Sequence, residues 1–347
     1  MTGSISSLVE RRSVASAQLD RWITAAPPAL SSWVSERYSR RRQYETAHRI
    51  SQYDGCLYFD PHSGVAISAA GDVVAESLAY PETYRKLMVP PRGVRLTAKW
   101  RAQRVTGRVI SLRNVYEEAR HFHLVHEVIC RLLLLESEGL LQGAKILLPR
   151  GVARKPFFQH FVAFRYAGRS GPLSFIDGGV GWIRATDALF CHAGYYDSCL
   201  YEDLARTFAP LRAGGRRAAG VTRLFVYRSP LESRSFVNVA ELVSGARSVG
   251  LLPVDLVRLS PREQVQLFRD ATWIVAEHGA ALTNLVFCRS CCERVVEIFP
   301  PAYVPPTFYF MSSALGLPHR CEVAESVAGA NSYASYRYPV DALASLV

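Results

Sequence analysis

The sequence predicts an α/β protein of two domains, the second built on a doubly wound parallel sheet. Three observations carry that expectation. The chain has 347 residues, more than one hydrophobic core ordinarily serves. From about residue 223 onward, short apolar runs alternate strictly with amphipathic stretches, the pattern of a parallel sheet covered on both faces. Between the halves lies Arg212-Ala213-Gly214-Gly215-Arg216-Arg217-Ala218-Ala219-Gly220, which has the composition of a linker. The expected organisation is therefore a lead at 1–54, a first α/β domain at 55–211, a linker at 212–220 and a second domain at 221–347.

Taken in order, residues 1–54 read as a polar, Arg-rich helical lead broken at Pro27-Pro28. Short β-type runs at 56–59, 64–67 and 73–75, separated by Asp-Pro and Gly-Asp turns, suggest a small meander. A strand at 109–112 precedes a long helical period from about 118 to a Gly stop at 139. Strand signals follow at 145–148, 161–164 and 182–183, and a helix at 201–209. Past the linker, strands at 223–227, 253–256, 273–276 and 294–299 alternate with helices near 238–247, 261–270, 280–287 and 308–316. The clearest start is Ser260-Pro261-Arg262-Glu263, a capping box with Pro at the first helical position.

Hydrophobic residues make up 49% and charged residues 20%, which excludes a disordered chain. The formal charge of +11 comes mainly from Arg, since Lys stands only at 86, 99, 145 and 155. Spread as it is, this charge reads first as solvated surface and second as attraction for a polyanion or an anionic membrane face. Met1 to Arg12 lacks an apolar signal core and no apolar run reaches spanning length, so the eight Cys are expected in a reducing cytoplasm. Cys288, Cys291 and Cys292 could hold zinc, but Cys321 and His319 stand apart and no second ligand pair is evident. Structural thiols are the expectation, and no metal.

The most informative stretch is Ala276-Glu277-His278-Gly279-Ala280-Ala281-Leu282-Thr283-Asn284. An apolar strand runs into a His-Gly turn, and small residues then open a helix whose first N–H groups form an anion site. Arg228 follows one strand, Arg234 and Asn238 lie before the next helix, and Glu297 lies within the later strand Val295-Val296-Glu297-Ile298-Phe299. All fall at carboxyl ends of strands, where open α/β sheets bind ligands; Glu297 is placed to accept from a ribose diol. Phosphate and ribose together indicate a nucleotide. In the first half, His123, Glu127 and Arg131 share one face of the long helix, either a hydrated stripe or an acid/base site. His121, His123 and His126 splay apart and do not suit a metal. The chain has no Asp-x-Asp pair, no P-loop and no G-x-G-x-x-G after a strand, which argues against an ATPase and weakens a nicotinamide enzyme.

Residues 224–301 resemble the signature region of glycosyltransferase family 61. The shared features are Arg228 after a strand, Arg234 and Asn238, Glu263-Gln264, the HGAALTNLVF stretch at 278–287 and VVEIF at 295–299. In the first half His123, Glu127 and Arg131 fit, whereas Arg120, His121, Leu124 and Cys130 depart, and Arg289-Ser290-Cys291-Cys292 replaces a Pro-Pro-Gly turn. The resemblance implies a GT-B fold, two Rossmann-like domains facing across a cleft, and inverting transfer from a UDP-sugar without a cofactor or metal. Arg228, Arg234, Asn238, His278, Gly279, Ala280, Ala281, Asn284 and Glu297 would bind the donor. His123 or Glu127 would be the base, with Arg131 behind Glu127. A glycan or glycolipid acceptor and no nucleic-acid partner are expected with it; the Arg- and Ala-rich, Lys-poor composition suggests a GC-rich bacterial genome and so a surface-glycan role, in the cytoplasm and peripheral to the inner membrane. A dehydrogenase or epimerase, or a noncatalytic basic binding module, are the alternatives.

Overall fold

The computed structural model describes residues 4–16, 43–60, 63–78, 92–113, 120–167, 173–177, 181–210, 222–229, 235–288, 291–301, 303–327 and 335–347. The chain divides into two units, Met1–Ser13 with Thr46–Tyr195, and Val14–Glu45 with Tyr196–Val347.

The first unit is built on a mixed sheet. Its strands are β1 (Ser4–Ser16), β2 (Gln43–Phe59), β3 (Ala66–Ser68), β4 (Gln103–Arg104), β5 (Val109–Ser111), β6 (Lys145–Leu147), β7 (Ser174–Ile176) and β8 (Ile183–His192). The order is β1-β2-β8-β5-β6-β7, with β3 on β2 and β4 on β8. β8, β5, β6 and β7 run parallel and β2 runs antiparallel to β8. Central β5 is wholly buried, as its Val-Ile-Ser sequence requires between two parallel neighbours. Helices α1 (Arg92–Arg101), α2 (residues 121–137) and α3 (Pro156–Tyr166), with 3-10 turns at Ala75–Ser77 and Val152–Arg154, complete the described part.

Two expectations fail here. The described parts of the supposed helical lead are strands β1 and β2. In β2 the alternating buried positions Thr46, His48 and Ile50 begin with two polar side chains, so the period of two does not show in hydropathy. The run at 161–164 is helical. Pro156 occupies the first turn of α3, and Phe157, Phe158 and Phe161 bury one face, so packing overrides the β-type composition.

The second unit has helix α4 (Ser198–Thr207), then β9 (Thr222–Val226), α5 (Val239–Ser248), β10 (Leu252–Val254), α6 (Pro261–Asp270) and β11 (Ala271–Glu277). A 3-10 helix at Ala280–Phe287, β12 (Arg294–Phe299), α7 (Thr307–Ala314), β13 (His319–Val323), and the hairpin β14 (Glu325–Ser326) and β15 (Tyr336–Arg337) follow. The main sheet is all parallel in the order β10-β9-β11-β12-β13. Ser260 and Glu263 form the expected capping box. Strand β13 was not anticipated.

The unit boundary falls at Tyr195/Tyr196, and the proposed linker at 212–220 lies outside the described residues. Helix α4 belongs to the second unit because Phe208 packs edge-on to Phe287 at 5.4 Å and Arg269 Nη2 donates to Ala205 O at 3.1 Å. No described helix is long and apolar enough to cross a membrane.

Candidate active site

In chain order the main strands of the second unit run 2-1-3-4-5. The order therefore reverses between β9 and β11, and such a switch point is where doubly wound sheets bind ligands. Register pairs Val226 with Ala276, so Arg228 emerges beside Glu277, His278 and Gly279. The Arg228 main-chain N–H donates to Glu277 Oε2 at 2.7 Å, and its Nη2 donates to His278 O at 2.9 Å. The guanidinium is thus tied to the turn across the switch point. Gly279 has φ 165°, extended backbone that any residue adopts. Its glycine is required for another reason: a Cβ there would overlap the Arg228 guanidinium. Ala280 and Ala281 are partly exposed beside it and open the 3-10 helix, whose first N–H groups have no partner within the helix.

Glu297 differs from its expected role. It is 0% exposed, with Oε1 2.5 Å from His278 Nδ1 and Oε2 3.1 Å from His319 Nε2. His319 Nδ1 in turn meets Ser312 Oγ at 2.7 Å. Both carboxylate oxygens face histidines, so Glu297 presents no surface to a ribose; it fixes the His278 turn from β12, with α7 and β13 behind it. Burial pushes the Glu297 carboxyl well above its ordinary range and pulls His319 down to about 3. The His278 ring is stacked on Phe299 at 4.9 Å, with Tyr303 and Phe308 beside it.

Asn238 and Asn284 are also structural. Asn238 Nδ2 donates to Tyr338 O at 2.9 Å and its Oδ1 accepts from Tyr338 N at 3.4 Å, pinning the C-terminal segment. Asn284 is buried, donating to Gln264 Oε1 at 3.3 Å and Ala281 O at 3.1 Å. Gln264 itself donates to Leu256 O and Leu259 O, so the Gln and Asn of the signature join α6 to the 3-10 helix. Arg234 lies outside the described residues. Sequence reasoning missed Glu277 as a site residue. It is buried, and its Oε1 accepts from Tyr336 Oη at 2.8 Å while Oε2 holds Arg228. A lone carboxylate closing the run Ile274-Val275-Ala276 was the available signal.

In the first unit, α2 opens with one turn at His121–His123, widens to a π-helical segment at Leu124–Ile129 and continues as α-helix from Cys130–Ser137. Such π segments mark functional positions in many helices. His123 Nδ1 lies 2.8 Å from Glu127 Oε1, and the Tyr195 hydroxyl donates to the same oxygen at 2.6 Å. Burial alone would raise the Glu127 pKa. The hydrogen bond to His123, the charge of Arg131 and the Tyr195 hydroxyl outweigh it and hold the carboxyl at about 2. The His123 side chain is 19% exposed, whereas Glu127 and Arg131 are buried. The structure therefore brings the three expected residues together and adds Tyr195, 68 residues from Glu127, for which the sequence carried no signal.

The other two histidines turn elsewhere. His126 Nδ1 meets Phe122 O at 2.9 Å, its ring stacks on Phe122 at 4.2 Å, and burial pulls it down to about 4. His121 sits edge-on to Phe157 at 4.9 Å. Among the described residues no group of His, Cys, Asp or Glu is disposed to hold a metal ion.

The model of the Glycosyltransferase 61 family matches residues 121–295, half of the chain, and the protein belongs to that family. The match opens at the first residue of α2 and ends in β12, taking in His123, Glu127, Tyr195, Arg228 and residues 277–284 but stopping short of Glu297. No curated protein matches. Among solved structures, the metal-soaked Flv1 flavodiiron core from Synechocystis sp. PCC6803 is similar at 10% identity and a TM-score of 0.25. That match covers 100% of this chain and 96% of the other, and at so low a score it carries no argument.

Proposed function

We propose that the protein transfers a sugar from a UDP-sugar to a hydroxyl of a glycan or glycolipid, with inversion at the anomeric carbon. The observation that carries this reading is the Arg228–Gly279 corner. A guanidinium held beside the first amides of a helix suits a diphosphate leaving group, because donors fixed in advance need no reorganisation as charge develops. Arg228, Arg234 and the amides of 279–281 meet that charge without a divalent metal. A GT-B arrangement, assembly of bacterial surface glycans and a cytoplasmic position peripheral to the inner membrane belong to the same reading.

His123 is the base. As the acceptor oxygen bonds to the anomeric carbon, its proton passes to His123 Nε2 and the bond from that carbon to the diphosphate breaks, the electron pair leaving with UDP. Glu127, held at about 2, is too weakly basic for this step at neutral pH. Ionised, it accepts from Nδ1–H and so leaves Nε2 as the accepting nitrogen. Tyr195 fixes the carboxylate from β8's end.

Melting temperature in a panel of UDP, GDP, CMP and NAD, with and without EDTA, tests the donor half, since a ligand of the folded state stabilises by mass action. UDP is expected to give the largest rise, unaffected by EDTA. No rise with any nucleotide at millimolar concentration removes the donor site. A rise lost on chelation and restored by manganese removes the metal-free mechanism.

A further inference from the structure

Helix α1 and strand β4 present a surface that the donor and base clusters do not use. Between Glu82 and Glu117 the sequence has no acidic residue and nine Arg or Lys. In α1, Ala98 is 1% exposed and packs with Tyr58, Ile67 and Trp182, which fixes the inward face. At about 100° per residue, Trp100 then points directly outward, with Lys99 and Arg101 on either side of it. Trp100 is 73% exposed, the most exposed aromatic among the described residues, and Lys99 Nζ lies 4.5 Å from its ring centroid. Arg95, on the inward side, anchors the helix by donating to Gly71 O at 2.8 Å, on the turn that carries exposed Asp72. Strand β4 follows at once, and its parallel register sets Arg104 beside Arg184 of β8. Lys99, Arg101, Arg104 and Arg184 are all exposed.

We infer that this face docks on an anionic phospholipid bilayer, Trp100 entering the headgroup region among the four cations. The inference deepens the proposed peripheral location by assigning it a surface. Tryptophan is at home at the membrane interface, where its ring is apolar and its N–H wet, and basic side chains around it meet lipid phosphates. A single-stranded nucleic acid surface would instead offer several aromatics in series, one per stacked base. Here there is one aromatic among four cations.

Sedimentation of the full chain with vesicles tests this without nucleotide or acceptor, so its outcome is independent of the transferase reading. Binding is expected to vesicles of phosphatidylcholine with phosphatidylglycerol in equal parts, to weaken with salt, and to be absent with phosphatidylcholine alone. Each cation near such a surface multiplies partitioning about fivefold, so Lys99→Ala/Arg101→Ala/Arg104→Ala should lower it about 100-fold. Trp100→Ala should lower it several-fold, and brominated lipid should quench tryptophan emission in the wild type but much less in Trp100→Ala. An unchanged melting temperature shows that the variants fold. Wild type failing to sediment, or both variants sedimenting like wild type, overturns the inference. Binding of single-stranded DNA through these residues in place of vesicles would overturn it in favour of a nucleic-acid surface.

Discussion

Gly279→Ala is the sharpest test of how the donor corner works. Alanine is compatible with the backbone at φ 165°, so the folded state has no conformational reason to reject it. The new methyl would occupy the space of the Arg228 guanidinium, which sits at the end of a flexible side chain and will swing away. What is lost is the Nη2 bond to His278 O and the preset position of the cation. If Arg228 makes one charge-assisted contact to the diphosphate, the loss is about 1.5–3 kcal/mol, or about 10- to 150-fold in Kd. Titration calorimetry with UDP on wild type, Gly279→Ala, Arg228→Ala and the double variant closes a cycle. Both single variants should weaken UDP by similar factors, and the double variant little further, because the methyl acts only through the arginine. The coupling is refuted if Gly279→Ala binds UDP within about twofold of wild type while Arg228→Ala does not. Silence of Arg228→Ala would refute the site itself.

Glu127→Gln should lower the stability of its unit. The carboxyl is depressed from 4.5 to about 2, so its contribution, on the order of 3 kcal/mol, is full above pH 4.5 and falls as pH drops toward 2. The gap between wild type and variant in urea unfolding should accordingly be wider at pH 7 than at pH 3.5, and a gap independent of pH would contradict the assignment. Tyr195→Phe should cut kcat more than KM for donor, because Glu127 loses the hydroxyl that fixes its carboxylate against His123; an unchanged kcat counts against Tyr195. Glu297→Gln should leave the preference for UDP over 2′-deoxy-UDP intact, since Glu297 is buried between histidines. Burial raises its carboxyl, so wild type loses stability relative to this variant as pH rises above 4.5; a loss of the ribose preference would restore the original reading.

What was legible in the sequence followed from periodicity and spacing. The alternation after residue 222 reports β9 to β12 because each is a short apolar run between helical stretches. The i,i+4 spacing brought His123 to Glu127, and the contact survives in the π-helical segment because the Glu127 side chain still reaches back to Nδ1. Illegible features depend on tertiary partners. Strand order is not written in any one segment, so the switch point between β9 and β11 emerges only from the sheet. Asn238 and Asn284 have the look of ligand residues in a linear motif; their actual partners are Tyr338, 100 residues away, and Gln264, 20 away. Strand β2 hid behind polar buried positions, and α3 behind a run of phenylalanines.

The same partner dependence separates two carboxylates that the sequence treats alike. Glu127 and Glu297 are both buried beside a histidine, yet one is held at about 2 and the other is pushed well above 4.5. The difference lies in charge and donors. Glu127 has Arg131 one turn along α2, a tyrosine hydroxyl and a partly exposed histidine, so the anion is satisfied in place. Glu297 faces His278 and His319, and His319 is kept neutral by its own burial, so no fixed positive charge offsets the cost of ionising it. A carboxylate that stays ionised can hold an imidazole in one tautomer while the opposite nitrogen takes up a proton, the role a base partner requires. A carboxyl that retains a proton cannot favour that second protonation, but it can lock a turn through hydrogen bonds alone. On the proposed mechanism Glu127 therefore belongs with the proton-transfer step, and Glu297 with the geometry that sets Gly279 against Arg228.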